Sequence, residues 1–150
     1  MPTGAKLAGG VLLAGLAWVV SGLVVARFVD EPDPGLFMPI NVAVGFLAGW
    51  RVLGPRVGRP GGATMVAAAG QGITAVAAGT VAAWALHASV EMVRLSLRKR
   101  YEGPVEAVVA VFEIMLEQGR YLLAPEVLGA LVGGGVVAGL LAEWTGRRAR

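Results

Sequence analysis

GGATMVAAAGQGITAVAAGTVAAWALHASV, residues 61–90, is the stretch that decides the fold, because thirty successive residues contain no Lys, Arg, Asp or Glu. A helix of about 20 predominantly apolar residues is long enough to cross the hydrocarbon of a bilayer. Residues 7–26 form a second uncharged run of this length. The whole chain is 56% hydrophobic and 15% charged, whereas a soluble domain carries about 25% charged residues. The sequence therefore indicates an integral membrane protein.

The N-terminal run raises one alternative, a secretory signal peptide. Such a peptide has a short apolar core and a cleavage site with small residues in an A-x-A-like pattern. Here the run is long and ends at Ala26-Arg27-Phe28, without that pattern. We therefore interpret this run as a membrane span that is retained.

Prolines, glycines and charged clusters divide the chain into an all-α membrane bundle, which we treat as one domain over residues 1–150. Four transmembrane helices are predicted at about 7–28, 36–53, 62–93 and 127–144. A fifth, amphipathic helix is predicted at about 104–124, between the third and fourth spans. It either lies on the bilayer surface or folds into the bundle. Pro104 suits its first turn, and Pro125 ends it.

The short loops favour an orientation with both termini in the cytoplasm. The first connection is acidic over residues 30–33, whereas the second carries three arginines over residues 51–59 and the C-terminal tail ends in GRRAR. Basic residues are enriched on the cytoplasmic side of membrane proteins. With this orientation seven Lys and Arg residues lie inside and six outside, so the bias is small.

Glycines spaced four residues apart occur in two of the predicted spans. Small residues at this spacing allow two helix backbones to approach closely. We expect close packing within one chain, and the alternative is packing between chains in an oligomer. The predicted packing positions are Gly45, Gly49, Gly129, Gly133, Gly135 and Gly139. Two polar residues within apolar runs, Asn41 and Gln71, are expected to form hydrogen bonds between helices.

Charged residues are concentrated in HASVEMVRLSLRKRYEGP, residues 87–104, at the end of the third span. His87, Glu91 and Arg94 share one helical face, because they are four and three residues apart. The next helix carries acidic residues at a spacing that also places them on one face. We predict a charged hairpin in which the two faces meet, and its residues are His87, Glu91, Glu106, Glu113, Glu117 and Arg120.

Three other interpretations use the same residues. The basic cluster of Arg94, Arg98, Lys99 and Arg100 suits an oxyanion or a lipid phosphate, because guanidinium groups bind such anions in a bidentate manner. His87 and Glu91 suit a proton relay. A metal site is disfavoured, because di-metal sites in helical bundles use paired Glu-x-x-His motifs that this chain lacks. Structural ion pairing is the favoured interpretation.

The residue inventory disfavours several classes of function. The chain has no cysteine, so it offers no disulfide, thiolate metal site or redox dithiol. It contains no phosphate-binding loop and no Ser-His-Asp set. Its pI of about 10 reflects basic residues at the ends of spans, which anchor a membrane protein and do not imply nucleic acid. We therefore predict no enzyme activity, no cofactor and no metal.

Four segments resemble the TrgA family of small bacterial inner-membrane proteins associated with tellurite resistance. They are MPTGAKLAGGVLLAGLAW (1–18), NVAVGFLAGWRVLGPRVGR (41–59), HASVEMVRLSLRKRYEGPVEAVVAVFE (87–113) and VVAGLLAEWTGRRAR (136–150). The third segment is the most specific, because charged and apolar residues interleave in an unusual order. The resemblance implies a multi-pass protein of the bacterial inner membrane with a role in tolerating tellurite. It implies no catalytic or ligand-binding residues.

Two functional hypotheses follow, and they belong to different classes. The first is a non-enzymatic accessory protein whose partners are the lipid bilayer and a homo-oligomer or a larger membrane complex. The second is a small oligomeric transporter or channel that handles an oxyanion through Arg94, Arg98 and Arg100. Carriers often contain inverted repeats, and this sequence shows none, so the accessory role is favoured.

Overall fold

The computed structural model describes residues 4–28, 35–57, 63–97 and 103–148, and within these ranges the regular structure is entirely helical. The α-helices are α1 (Gly4–Phe28), α2 (Phe37–Ala48), α3 (Met65–Leu97), α4 (Pro104–Leu122) and α5 (Pro125–Arg148). A π-helical segment, Gly49–Leu53, continues α2. The all-α prediction is confirmed.

Three helices, α1, α3 and α5, are long and apolar enough to cross a membrane. α3 has 33 residues, so at 1.5 Å per residue it is about 50 Å long and exceeds the hydrocarbon thickness of about 30 Å. The second predicted span coincides with Phe37–Leu53, which is apolar but shorter. α2 follows a turn in which Gly35 has a φ of 56°, a left-handed conformation that favours glycine.

Close backbone contacts between α1 and α2 depend on glycine. A Cβ atom added at Gly49 would collide with the carbonyl group of Gly9, and one at Gly45 would lie 2.7 Å from the carbonyl oxygen of Leu13. No side chain fits at these distances without a shift of the backbone. The predicted packing role of Gly45 and Gly49 thus matches a contact within this chain.

The crossing of α3 and α5 also depends on close backbone contacts at glycines. A Cβ atom at Gly139 would collide with the carbonyl group of Ala68, and one at Gly135 would lie 3.2 Å from the Cα atom of Ile73. By contrast, Gly129 and Gly133 have no neighbouring atom within 4 Å of such a Cβ. Of the six predicted packing glycines, these two face away from the other described helices, because they lie on the outer side of α5.

Polar contacts join the start of α3 to the end of α5. Glu143 is only 4% exposed, and its Oε1 accepts hydrogen bonds from the Ala63 amide at 3.0 Å and from Arg147 Nε at 2.9 Å. Arg147 also donates to the Ala63 carbonyl at 2.7 Å. At the opposite end of the bundle, Arg27 of α1 pairs with Glu126 of α5 at 3.1 Å, and both side chains are exposed.

α4 returns along the C-terminal part of α3. Gly119 of α4 lies against the indole of Trp84, where an added Cβ atom would be 2.7 Å from the ring. Ala110 and Gly119 are the buried residues of α4. α4 therefore contacts α3 mainly through small and apolar residues.

Candidate functional site

A cavity of about 720 Å³ lies between α1, α2 and α3, with α4 along one side. Its volume is within the range of about 300–1,000 Å³ that is typical of small-molecule sites. Most of its wall is apolar and comes from side chains such as Leu16, Val20 and Val76. Its polar lining residues are Ser21, Asn41, Thr80, His87, Glu91, Arg94, Gln118 and Tyr121.

Three polar side chains in this wall form a hydrogen-bonded chain that links three helices. Asn41 Nδ2 of α2 donates to Ser21 Oγ of α1 at 2.9 Å. His87 Nε2 of α3 lies 2.9 Å from Asn41 Oδ1. Burying a polar group in an apolar environment costs free energy unless it is paired, and Ser21 is only 2% exposed. The predicted interhelical hydrogen bond of Asn41 is present, and it holds α1, α2 and α3 together.

The hydrogen bonds of Asn41 assign the tautomer of His87. Since the Asn41 amide nitrogen donates to Ser21, its oxygen accepts, and His87 Nε2 must therefore carry the proton. In the neutral form of the ring, Nδ1 is then an acceptor, and no described residue donates to it. Phe37 lies against the imidazole with the ring centroids 4.9 Å apart. The ring is thus fixed by α2 and retains one acceptor.

Charged and polar groups lie one to two helical turns beyond His87. Arg94 pairs with Glu91 at 3.6 Å, and their side chains are 69% and 37% exposed. Gln118 and Tyr121 of α4 also line this part of the cavity. The polar rim, as we call it, consists of His87, Glu91, Arg94, Gln118 and Tyr121. It carries one cation and one carboxylate.

Arg120 lies beside this rim but is directed to its neighbour in α4. Its Nη2 donates to the Tyr121 hydroxyl at 3.0 Å, and its guanidinium lies 5.0 Å from the centre of the Tyr121 ring. The hydrogen bond to Tyr121 raises the pKa of Arg120, and the charge of Glu117 acts in the same direction. Arg120 therefore remains cationic on the exposed side of α4.

The described residues include only part of the segment of the predicted charged hairpin, which stays a prediction. His87 bonds to α2, Arg94 pairs within α3, and Glu113 and Glu117 are exposed. Among ion pairs with both partners in the described ranges, none joins α3 to α4. Gly119 of α4 packs on the indole of Trp84 in α3, so this contact between the two helices is made by uncharged groups. Glu106 is also exposed, and Arg98, Lys99 and Arg100 lie outside the described residues.

Among the described residues, two buried polar atoms have no hydrogen-bond partner, Gln71 Oε1 and Trp84 Nε1. The interhelical bond expected for Gln71 is therefore not made by its carbonyl oxygen. In the described ranges, no group of three or more His, Cys, Asp or Glu residues could hold a metal ion.

Sequence reasoning missed Ser21, Trp84, Tyr121 and the cavity itself. Ser21 carried a usable signal, because it is a polar residue within an apolar run. Its contact with Asn41 depends on how α1 and α2 pack, and the spacing of residues in the sequence does not predict this packing. The cavity could not be predicted either, because it forms only where three helices meet.

No protein-family model, curated protein or solved structure matches this chain.

Proposed function

We propose that this chain is a non-enzymatic accessory protein of a bacterial inner membrane, which contributes to tellurite tolerance by binding another membrane protein. The observation that carries this proposal is the surface of α4. Five large apolar side chains, Val105, Val108, Val109, Phe112 and Leu116, are exposed there. We call them the α4 apolar stripe. They repeat at intervals of three and four residues, so they share one helical face.

An acidic row borders the α4 apolar stripe. Glu106, Glu113 and Glu117 are exposed next to it, which makes the outer side of α4 amphipathic. Helices that lie on a bilayer surface are usually rich in Lys and Arg, because the lipids there are anionic. An acidic border is unfavourable at such a surface and suits a partner that carries basic residues beside an apolar face. Protein docking is therefore the better use of this helix.

The proposal includes a topology. α2 and its π-helical segment, Phe37–Leu53, would form a short fourth crossing between α1 and α3, with both termini in the cytoplasm. The contacts of Gly45 and Gly49 with α1 support this arrangement, because they hold the segment along α1. A C-terminal alkaline phosphatase fusion tests the orientation. An inactive phosphatase is expected, and an active one would contradict a cytoplasmic C-terminus.

An oxyanion channel through the cavity is less well supported. Arg94 lies at the polar rim, yet the inner wall is mostly apolar. An oxyanion that lost its hydration there would meet few compensating groups, and the cost of burying an unpaired charge is large. Neutralising Arg94, Arg98 and Arg100 to Gln tests the channel directly. Retained tellurite resistance at normal protein level would argue against it.

The partner is tested with a photo-crosslinking amino acid at Phe112 of the full chain, expressed in tellurite-exposed cells. Phe112 is 62% exposed. Val81 of α3, 55% exposed, is the matched control, because it lies in a membrane-spanning segment that faces away from the cavity. We expect a discrete protein adduct from position 112 and only lipid adducts from position 81. Lipid adducts alone from both positions would refute protein docking.

A triple substitution then links this surface to the phenotype. Val109→Ser, Phe112→Ser and Leu116→Ser remove exposed apolar groups, so folding should change little. We expect the position-specific adduct and tellurite tolerance to be lost together, while membrane insertion and protein level persist. Loss of the adduct with full tolerance would separate docking from the phenotype and would contradict the proposed function.

A further inference from the structure

The cavity and its polar rim divide into two chemically different parts. The inner part is lined by aliphatic side chains from α1, α2 and α3, whereas the rim carries His87, Glu91, Arg94, Gln118 and Tyr121. A ligand that satisfies both parts has a long apolar chain and a polar head. The structure thus favours a membrane amphiphile over a small hydrated solute.

The position of His87 along α3 gives the depth of the rim. Contacts from Glu143 and Arg147 to Ala63 mark the opposite end of the bundle. His87 lies 22 residues after Met65, the first residue of α3, a rise of about 33 Å. The hydrocarbon layer is about 30 Å thick. If α3 enters the layer near Met65, the rim lies at the far boundary, at the level of lipid headgroups.

The polar rim selects the head by charge and by hydrogen bonding. Arg94 and Glu91 pair with each other at 3.6 Å, and a zwitterionic head replaces this pair, with its phosphate at Arg94 and its ammonium group at Glu91. In the assigned tautomer His87 Nδ1 can accept a hydrogen bond, and no described residue donates one to it. An ammonium group that carries N–H donors satisfies Glu91 or His87, whereas a trimethylammonium group cannot donate.

We propose that the cavity is a binding site for a phospholipid with a primary ammonium head, as in phosphatidylethanolamine. One acyl chain lies along Leu16, Val20 and Val76, the phosphate lies at Arg94, and the ammonium group donates to Glu91 or His87. The site uses no residue of the α4 apolar stripe, because the α4 residues that line the cavity are Gln118, Tyr121 and Leu122. The proposal therefore goes beyond protein docking.

Photolabelling of the full chain in vesicles tests the site. The vesicles contain phosphatidylethanolamine and phosphatidylglycerol, with a trace of phosphatidylethanolamine that carries a diazirine on one acyl chain. Labelled positions are located by mass spectrometry of peptides. Labelling of exposed Val132 and Val137 on α5 reports ordinary contact with bulk lipid and serves as the internal reference.

Ala83 and Ala82 provide a matched pair of variants on α3. Ala83 lines the cavity, whereas its neighbour Ala82 is exposed on the outside. We expect Ala83→Phe to fill the cavity and reduce labelling around residues 79–91 about tenfold relative to the reference, while Ala82→Phe leaves it unchanged. Thermal unfolding transitions check that both variants are folded. Equal labelling of the two folded variants would overturn the proposal.

The head is tested by replacing the probe with phosphatidylcholine that carries the same diazirine. This lipid keeps the phosphate and the acyl chains but lacks N–H donors. Cavity labelling should fall about tenfold, the effect of one lost charge-assisted hydrogen bond. A Glu91→Gln and His87→Phe double variant should remove the preference between the two probes. Equal labelling by both probes in the unmodified chain would overturn the proposed head.

Discussion

One end of the bundle, where α1 begins and α5 ends, is called the glycine end here. Helix backbones are in contact there at glycines, and the buried carboxylate of Glu143 accepts a hydrogen bond across the contact of α3 with α5. At the other end, the cavity end, hydrogen-bonded side chains connect the helices, and a cavity of about 720 Å³ remains between these helices. The glycine contacts bring helix backbones directly together, whereas the hydrogen-bonded chain of Ser21, Asn41 and His87 joins three helices without filling the cavity between them. A second pocket of about 570 Å³ lies beside Ala63, Glu143 and Arg147, so the two ends differ in how their helices are held together and not in whether they contain space.

The largest effect on the free energy of unfolding is expected when a methyl group is added to a glycine at the glycine end. Gly139→Ala places a Cβ atom against the Ala68 carbonyl, and overpacking of this kind should cost about 3 kcal/mol of unfolding free energy. Gly133→Ala is the control in the same helix, since its Cβ meets no neighbour and Ala favours helix by up to about 1 kcal/mol over Gly. Denaturant unfolding in detergent measures both. Equal destabilisation by the two variants would contradict the packing.

Next in size is the carboxylate that closes the glycine end. Glu143→Ala removes the acceptor of both Ala63 and Arg147, and we expect a loss of about 2 kcal/mol. Glu126→Ala removes only the exposed pair with Arg27, which should cost less than about 1 kcal/mol. The same unfolding assay compares the two ends. A larger loss from Glu126→Ala would reverse our assignment of which end is held more tightly.

A smaller effect is expected at the cavity end. Asn41→Ala leaves Ser21 and His87 without their common partner, which should cost about 1 kcal/mol, as is usual for hydrogen bonds between membrane helices. Gln71→Leu removes a buried oxygen that has no partner, so stability should be unchanged or increased. If Gln71→Leu were the more destabilising of the two, the assigned hydrogen bonds would be wrong.

The smallest effect is expected on the outer side of α4. A charged hairpin would make Glu113→Lys destabilising and repairable by a reversal on α3. In the structure Glu113 is exposed, so the substitution should change unfolding free energy by no more than about 0.5 kcal/mol. Thermal unfolding measures this change. Clear destabilisation, with recovery on adding Arg94→Glu, would support the hairpin interpretation.

The fold class was predictable because thirty uncharged residues in one run permit few structures other than a membrane-spanning helix. The start of α4 at Pro104 also followed from the sequence, since proline is favoured in the first turn of a helix. Pro125 was expected to end that helix, but α4 ends at Leu122 and Pro125 is the first residue of α5. The spacing of Gly45 and Gly49 identified one crossing correctly. The identical spacing of Gly129 and Gly133 marks no crossing between described helices of this chain, because spacing does not say which side of α5 meets another helix.

The candidate site was only partly predictable for a related reason. A shared helical face for His87, Glu91 and Arg94 was derived from periodicity, but periodicity does not name the opposing helix. The sequence suggested α4, the nearest helix along the chain, whereas His87 contacts α2, 46 residues away. Contacts between residues so far apart depend on the packing of the whole bundle.

The contacts of Gly72 and Glu143 have a consequence for the order in which the protein is made. α1 and α2 can pair as soon as both have left the ribosome, because their glycine contacts need no later residue. The backbone of α3 at Gly72 packs on Gly135 and Gly139 of α5, and the Ala63 amide that precedes α3 donates to Glu143 of the same helix, the last one synthesised. We therefore predict that a chain truncated before Pro125 inserts but is rapidly degraded by membrane proteases, measured by pulse-chase labelling. Normal persistence of that chain would show that α3 is retained without its final partner.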